Sequence, residues 1–116
     1  MKYYVLFLFL IISTLNKVQG QSKNMSENVV ITYQKSETKL QTNENGELHL
    51  NVSPKDLHRF KAKGVIRYSD FGAKGNGKTD DIDAIAATHA FANQNGFLVK
   101  ADKGFTYYIS GKNRTA

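Results

Sequence analysis

The hydrophobic pattern of the chain begins with an apolar run at residues 3–12, which follows a positive charge at Lys2. This run has about half of the roughly 20 apolar residues that a membrane-spanning helix needs. A charged start, an apolar centre and small residues before a cleavage point are the parts of a secretory signal peptide. The sequence therefore predicts a signal peptide at residues 1–20, cleavage near Gly20–Gln21, a secreted or periplasmic product and no stable membrane anchor.

Residues 21–64 are predicted to form an N-terminal extension that contains a hairpin and a short helix. Residues 29–33 are a β-rich run, and an Asn-Gly pair lies in the short loop between residues 39–42 and 47–52. Such a pair between two strands is typical of a β-hairpin. Apolar and polar positions alternate in the second arm, so one face is apolar while His49 and Asn51 lie on the polar face.

The helix of this extension is predicted from its start and stop signals. Ser53 can cap the first turn, Pro54 suits the first helical position, and Asp56 lies near the positive end of the helix dipole. Gly64 can end the helix, because glycine readily adopts the left-handed conformation that closes many helices.

The second half, residues 65–116, combines strands, glycine turns and one helix. The predicted elements are a strand at 65–71, a glycine-rich turn at 72–77, a helix capped by Thr79 or Asp80 and ended by Asn95–Gly96, a buried strand at 97–99, a turn at 102–104 and a strand at 105–109. Ile82, Ile85, Ala86 and His89 share one stripe of the predicted helix. That spacing is typical of a helix face that packs on a core.

Composition excludes several classes of protein. The chain has no cysteine, so no disulfide can staple it and no lipid can be attached to a cysteine at the cleavage site. Two lysines lie in the signal peptide, which lowers the formal charge of the remaining 96 residues from +6 to +4. Because the other lysines are scattered, we predict no nucleic-acid partner. Three glycosylation sequons begin at Asn24, Asn51 and Asn113, and they matter only in a glycosylating host.

Residues 72–79 match the phosphate-loop pattern of a glycine, four residues, then Gly-Lys-Thr, between a predicted strand and a predicted helix. We reject nucleotide binding for three reasons. Asp80 and Asp81 would place two carboxylates where phosphates bind at a helix start. Polar residues interrupt the preceding strand, which in phosphate-loop proteins is continuously apolar. A secreted protein also meets little nucleoside triphosphate.

Asp80, Asp81 and Asp83 form an acidic group for which a calcium site or acid–base chemistry must be weighed. Their spacing lacks the oxygen-rich loop of a calcium site, and acidic residues stabilise the first turn of a helix. We therefore assign them to helix capping. His49 has no metal-binding companions, and His58 is expected to be exposed. The sequence thus predicts no catalytic, cofactor-binding or metal-binding residue.

The run D-F-G-A-K-G-N-G-K-T-D-D at residues 70–81, followed by an alanine-rich helix, resembles the N-terminal signature of the pectate lyase superfamily. More closely, it is similar to the rhamnogalacturonase/epimerase-like branch of right-handed parallel β-helix proteins. The match covers roughly residues 65–110. The chain departs from the signature at Asn76, at Ile82 and at residues 100–104, where aspartate, threonine or serine, and an aromatic-Pro-Pro-Gly turn are usual.

The resemblance implies a mainly β chain that begins a right-handed parallel β-helix, with one short N-terminal capping α-helix and a preceding hairpin-like segment. Solenoid ends need a cap with a polar outer face, and this helix would supply it. The resemblance also implies that Asp80 caps the helix, that Ile82, Ile85 and Phe91 pack on the first coil, and that His89 is a partly buried packing residue.

The resemblance further implies that residues 65–116 are the cap and first coil of a truncated β-helix. The parent protein would be a secreted hydrolase or lyase that cleaves an acidic polysaccharide such as pectin or rhamnogalacturonan. Its catalytic side chains, and any calcium, would lie on later coils, so we expect this chain to be inactive. Two alternatives remain: a non-enzymatic β-helix that binds carbohydrate, such as an adhesin or tail-spike-like protein, and a small secreted protein that acts through residues 29–52.

Overall fold

The structure is a computed structural model that describes residues 29–111, so the predicted signal peptide, residues 21–28 and the sequons at Asn24 and Asn113 lie outside the described residues. The elements in chain order are β1 (Val29–Thr32), β2 (Lys39–Thr42), β3 (Leu48–Asn51), α1 (Pro54–Lys63), β4 (Val65–Arg67), a 3-10 helix (Tyr68–Phe71), β5 (Asn76–Asp80), α2 (Ile82–Asn95), β6 (Leu98–Lys100) and β7 (Thr106–Tyr108). Within this range, neither α-helix is long and apolar enough to cross a membrane.

The predicted hairpin is confirmed. Strands β2 and β3 pair antiparallel, and Gly46 turns the chain between them with a φ of 79°. Strand β1 pairs with the other edge of β3 in parallel, which gives the sheet order β1-β3-β2. Leu48 and Leu50 point into the core as predicted, but Asn51 on the outer face is only 8% exposed. A loop that follows β1 covers Asn51, and the sequence pattern did not predict this.

Helix α1 is confirmed with its predicted start and stop signals. The Ser53 side chain accepts a hydrogen bond from the Asp56 backbone N–H at 3.0 Å, and Pro54 occupies the first turn. Gly64 ends the helix in the left-handed conformation, and its N–H donates to the Phe60 carbonyl. The local signals at both ends therefore define this helix.

The second half contains two short parallel strand pairs, β4 with β6 and β5 with β7. The predicted strand at 65–71 is wrong beyond Arg67, because the Asp70 carboxylate accepts the Arg67 N–H at 2.8 Å and the chain turns into the 3-10 helix. The predicted glycine turn at 72–77 is too long, since β5 begins at Asn76. The strand predicted as buried at 97–99 forms at Leu98–Lys100 and is only partly buried, because Leu98 is 66% exposed while Phe97 and Val99 pack against the core.

The fold class is only partly as predicted. Strands, the hairpin and both predicted helices, of 10 and 14 residues, are present among the described residues. The sheets are small and open, with three, two and two strands. Residues 29–111 are therefore a mixed arrangement of small sheets and helices.

One aromatic core joins the extension to the second half. Phe91 of α2 is fully buried, and its ring centroid lies 5.7 Å from that of Phe60, 5.3 Å from that of Phe71 and 5.6 Å from that of Phe97. Apolar residues of β1 and β3 belong to the same cluster. Residues on both sides of the predicted boundary at residue 64 thus share a core, and this core holds the three-stranded sheet with its polar face outward.

Candidate functional site

A groove of about 900 Å³ lies on the outer face of the three-stranded sheet. The strand register places Lys39, Asn51 and Thr32 in one row across the sheet, and Gln41 and His49 in the next. The loop of residues 33–38 forms one wall. Every residue that lines this groove is polar or charged. We refer to it below as the polar groove.

The side-chain amide of Asn51 holds the loop over the sheet. Its Oδ1 atom accepts hydrogen bonds from Thr32 Oγ1 at 3.0 Å, from the Gln34 N–H at 3.1 Å and from the Lys35 N–H at 3.2 Å. Its Nδ2 atom donates to the carbonyls of Lys35 at 3.0 Å and Glu37 at 2.8 Å. These five bonds satisfy the amide and fix the wall of the groove.

The same contacts bear on the sequon at Asn51. An N-linked glycan replaces one of the two hydrogens on Nδ2, and both are used in bonds to loop carbonyls. Ser53, the third residue of the sequon, is buried and caps α1. A glycan at Asn51 would therefore break at least one of the bonds that hold the loop.

The imidazole of His49 belongs to a small polar network at the end of the groove. Its Nε2 atom lies 3.1 Å from Glu47 Oε1 and 3.3 Å from Asn43 Nδ2, and Asn43 Oδ1 accepts the backbone N–H groups of Asn45 and Glu47. His49 lies on the polar face, as predicted. Among residues 29–111 no group of three or more His, Asp or Glu side chains is placed to hold a metal ion.

The segment that matches the phosphate-loop pattern has a different geometry. Strand β5 separates the glycine turn from helix α2, so the turn does not lead into a helix start. The carboxylate of Asp81, only 1% exposed, accepts the backbone N–H groups of Lys74 at 2.8 Å and Gly75 at 3.1 Å. Asn76 Oδ1 accepts those of Lys78 and Thr79. Four amides of the loop are therefore bonded to side chains of the chain itself.

The carboxylates of Asp80 and Asp81 bond mainly to the glycine turn and to the residues after β7 rather than to the start of α2. The predicted cap position, at Thr79 or Asp80, is one or two residues too early, because α2 begins at Ile82 and Asp81 occupies the cap position, without a side-chain cap bond. Asp80 Oδ1 does accept the Ile82 N–H at 3.1 Å, as the resemblance implied, and also that of Ser110 at 3.2 Å. Asp83 lies in the first turn, as predicted.

The two remaining histidines are placed as predicted. His58 is exposed on α1. His89 is half-buried on α2, where its Nε2 atom lies 2.9 Å from the hydroxyl of Tyr68. The ring of Tyr68 also packs on that of Tyr107 of β7, with centroids 5.2 Å apart. These contacts join the 3-10 helix, α2 and β7, which is a structural role.

A hydrogen-bonded carboxylate at Asp102 joins β7 to the 3-10 helix. It accepts the Ser69 hydroxyl at 2.5 Å, the Ser69 N–H at 3.1 Å and the Tyr107 hydroxyl at 2.9 Å. Burial favours a higher pKa for Asp102, but the bonds from Ser69 and Tyr107 together outweigh it and lower the pKa of this carboxyl. For Tyr107, burial is the largest cause of a raised pKa.

Because the pKa of Asp102 is lower in the folded state, its contribution to stability is present above the unfolded value, near 3.9, and is lost as the pH falls through the folded value. We expect Asp102→Asn to destabilise the protein at pH 7, and we expect the difference in unfolding free energy from wild type to narrow as the pH falls below the unfolded pKa. Urea unfolding of both proteins at pH 7 and at acidic pH measures this difference in unfolding free energy. Glu44→Gln, at an exposed turn position, is the control, and an unchanged difference for Asp102→Asn would contradict the prediction.

Comparison with family models, curated proteins and solved structures gives no match. The functional argument therefore depends on the polar groove, on the parallel strand pairs and on the resemblance of residues 70–81. Sequence reasoning missed the groove residues Gln34, Lys39 and Gln41, because isolated polar residues on an outer sheet face carry no signal of a site. The local feature of the sequence that could have indicated a groove is the polar six-residue loop at 33–38 together with the polar face of β3.

Proposed function

We propose that residues 65–110 are the N-terminal cap and first turns of a right-handed parallel β-helix that belongs to a secreted protein acting on acidic polysaccharide. The observation that carries this proposal is the repetition of two parallel pairs. β4 and β5 follow each other in the chain, and then β6 pairs with β4 and β7 pairs with β5. A chain that returns to the same two strands in the same order and direction follows a helical path.

The spacing of the paired strands supports the same proposal. The first residues of β4 and β6, Val65 and Leu98, are 33 positions apart, and those of β5 and β7, Asn76 and Thr106, are 30 positions apart. Repeats of about 20–45 residues that contact only their neighbours are typical of solenoids. Helix α2 lies between β5 and β6 in the chain and contacts β1, β3, β4 and β6, as expected of a cap.

The outer edges of β6 and β7 suit the addition of another coil. Neither strand pairs on its far side within residues 29–111. Four large apolar side chains near this edge are exposed, namely Leu98, Phe105, Tyr108 and Ile109. A further parallel coil would pair with the open strand edges and cover these side chains, which would otherwise favour aggregation.

The activity we propose for the parent protein is hydrolysis or elimination of pectin or rhamnogalacturonan, with this chain itself inactive. Among the described residues, Asp81 and Asp102 are bonded to backbone and side-chain donors that fix the fold, so we assign neither to catalysis. The second candidate is a non-enzymatic β-helix that binds carbohydrate, which the polar groove favours.

The test is to purify the secreted protein from its source with an antibody to the hairpin, to measure its intact mass, and to incubate it with de-esterified pectin and with rhamnogalacturonan. We expect a product longer than 96 residues that releases reducing ends. Unsaturated uronate ends, detected by ultraviolet absorbance, would identify a lyase, and their absence a hydrolase. Binding without cleavage would favour the second candidate. A stable monomeric 96-residue product that neither binds nor cleaves would overturn both.

A further inference from the structure

We infer that the polar groove is an oligosaccharide-binding site for a glycan that carries carboxylates. Its lining chemistry argues for a polar ligand. Sites for apolar or aromatic ligands are lined mainly by apolar side chains, whereas no apolar residue lines this groove. Lys39, Gln41 and His49 project from the sheet, while Gln34, Lys35 and Glu37 come from the loop.

The donors and acceptors of the groove fit hydroxyl groups. The amides of Gln34 and Gln41 can each donate and accept, and the second ring nitrogen of His49 can do one or the other, depending on the tautomer. A sugar hydroxyl needs both kinds of partner. Gln41 and Lys39 are two residues apart on β2 and therefore lie on the same face about 6.8 Å apart along the strand. A row of such groups along a strand suits an extended chain of sugars.

The charges of the groove favour a glycan with carboxylates over a neutral glycan or a simple polyanion. Lys35 on the wall and Lys39 on the floor supply two flexible ammonium groups, which can follow carboxylates in several orientations. Glu37 adds an acceptor that a sugar hydroxyl can satisfy and that would repel an anion without hydroxyls. The choice of a uronate glycan over other carboxylated sugars rests on the proposed function.

The groove is prepared for binding before a ligand arrives. The Asn51 amide makes five hydrogen bonds that hold the backbone at residues 34–37, so the wall does not need to be ordered during binding. A pre-organised site loses less conformational entropy on binding and binds more tightly for the same contacts. The exposed side chains on the wall and floor remain able to adjust to the ligand.

The test is a titration of the chain without residues 1–20 with a de-esterified oligogalacturonate in the presence of a chelator. Binding is monitored by calorimetry and by amide chemical shifts. We expect saturable binding, with the largest shifts at residues 34–41 and 49. Lys35→Gln and Lys39→Gln should each weaken binding about fivefold at low salt. Lys103→Gln, at an exposed turn of the second half, is the matched control and should bind as wild type.

Three results would overturn the inference: no saturable binding, equal weakening by Lys103→Gln, or equally tight binding of poly-glutamate, which would identify a general anion site. Equal binding of an uncharged oligosaccharide would overturn the carboxylate requirement. The variants must give the wild-type pattern of amide shifts outside the groove, which separates loss of contacts from unfolding. Binding by this chain, together with no cleavage by the secreted protein purified from its source, would uphold this inference while it overturns the enzymatic proposal.

Discussion

Phe91→Ala is expected to destabilise the protein by about 3–5 kcal/mol, the usual cost of removing a buried phenylalanine ring. Phe91 is 0% exposed and touches the rings of Phe60, Phe71 and Phe97, which come from three different elements or loops. Its loss leaves a cavity that these rings cannot fill together. Small domains have only about 5–15 kcal/mol of total stability, so the variant should be close to unfolding at 25 °C.

The measurement is urea unfolding followed by circular dichroism and tyrosine fluorescence. Phe105→Ala is the matched control, because it removes the same ring from a position that is 37% exposed, and we expect it to cost about 1–2 kcal/mol. Phe91→Leu should cost less than about 1.5 kcal/mol, since most of the volume is kept. A Phe91→Ala variant no less stable than Phe105→Ala would show that the aromatic cluster is not the centre of the core.

The elements that were predicted correctly are specified by signals that lie within a few residues of each other in the sequence. The Asn-Gly pair defines the hairpin turn, and Ser53, Pro54 and Gly64 define both ends of α1. Each of these signals acts through a hydrogen bond or a backbone angle that involves neighbours in the sequence. Such elements form with little dependence on the rest of the fold, so sequence patterns predict them well.

The elements that were missed depend on partners far along the chain. Strand β5 covers Asn76–Asp80, which is polar, largely exposed and has no strand-like pattern, and it forms because β7 pairs with it 30 residues later. The exposure of Leu98 could not be predicted either, because it depends on whether another strand lies beside β6. Propensity and alternation report one strand at a time and contain no information about its neighbour.

The candidate site was missed for the same kind of reason. In the sequence, Asn51 is a polar residue on the outer face of a hairpin, and only its three-dimensional contacts show that it holds a loop 14–17 residues earlier in the chain. The groove exists because the loop folds back over the sheet. Its lysine and glutamine residues are ordinary surface residues in the sequence, and they become a candidate site only when sheet register and loop place them around one cleft.

Asn51→Ala is expected to destabilise the protein by about 3–4 kcal/mol, because it removes five hydrogen bonds worth roughly 1 kcal/mol each, some of which water can replace. Alanine leaves the Gln34 and Lys35 N–H groups and the Glu37 carbonyl without their partner. Urea unfolding measures the cost. Gln94→Ala, which removes an exposed side-chain amide from α2, is the control and should change stability by less than about 0.5 kcal/mol.

Asn51→Ala should affect the loop of residues 33–38 more strongly than the core. Hydrogen exchange of the Gln34 and Lys35 amides should accelerate in Asn51→Ala, while amides in the middle of α2 should lose only the protection that the global change in stability removes. Oligogalacturonate affinity should fall as well, since the free wall of the groove must be ordered before it can bind. If the loop amides keep their protection and the affinity is unchanged, then the loop is held by contacts other than Asn51, and the amide is not the device that shapes the groove.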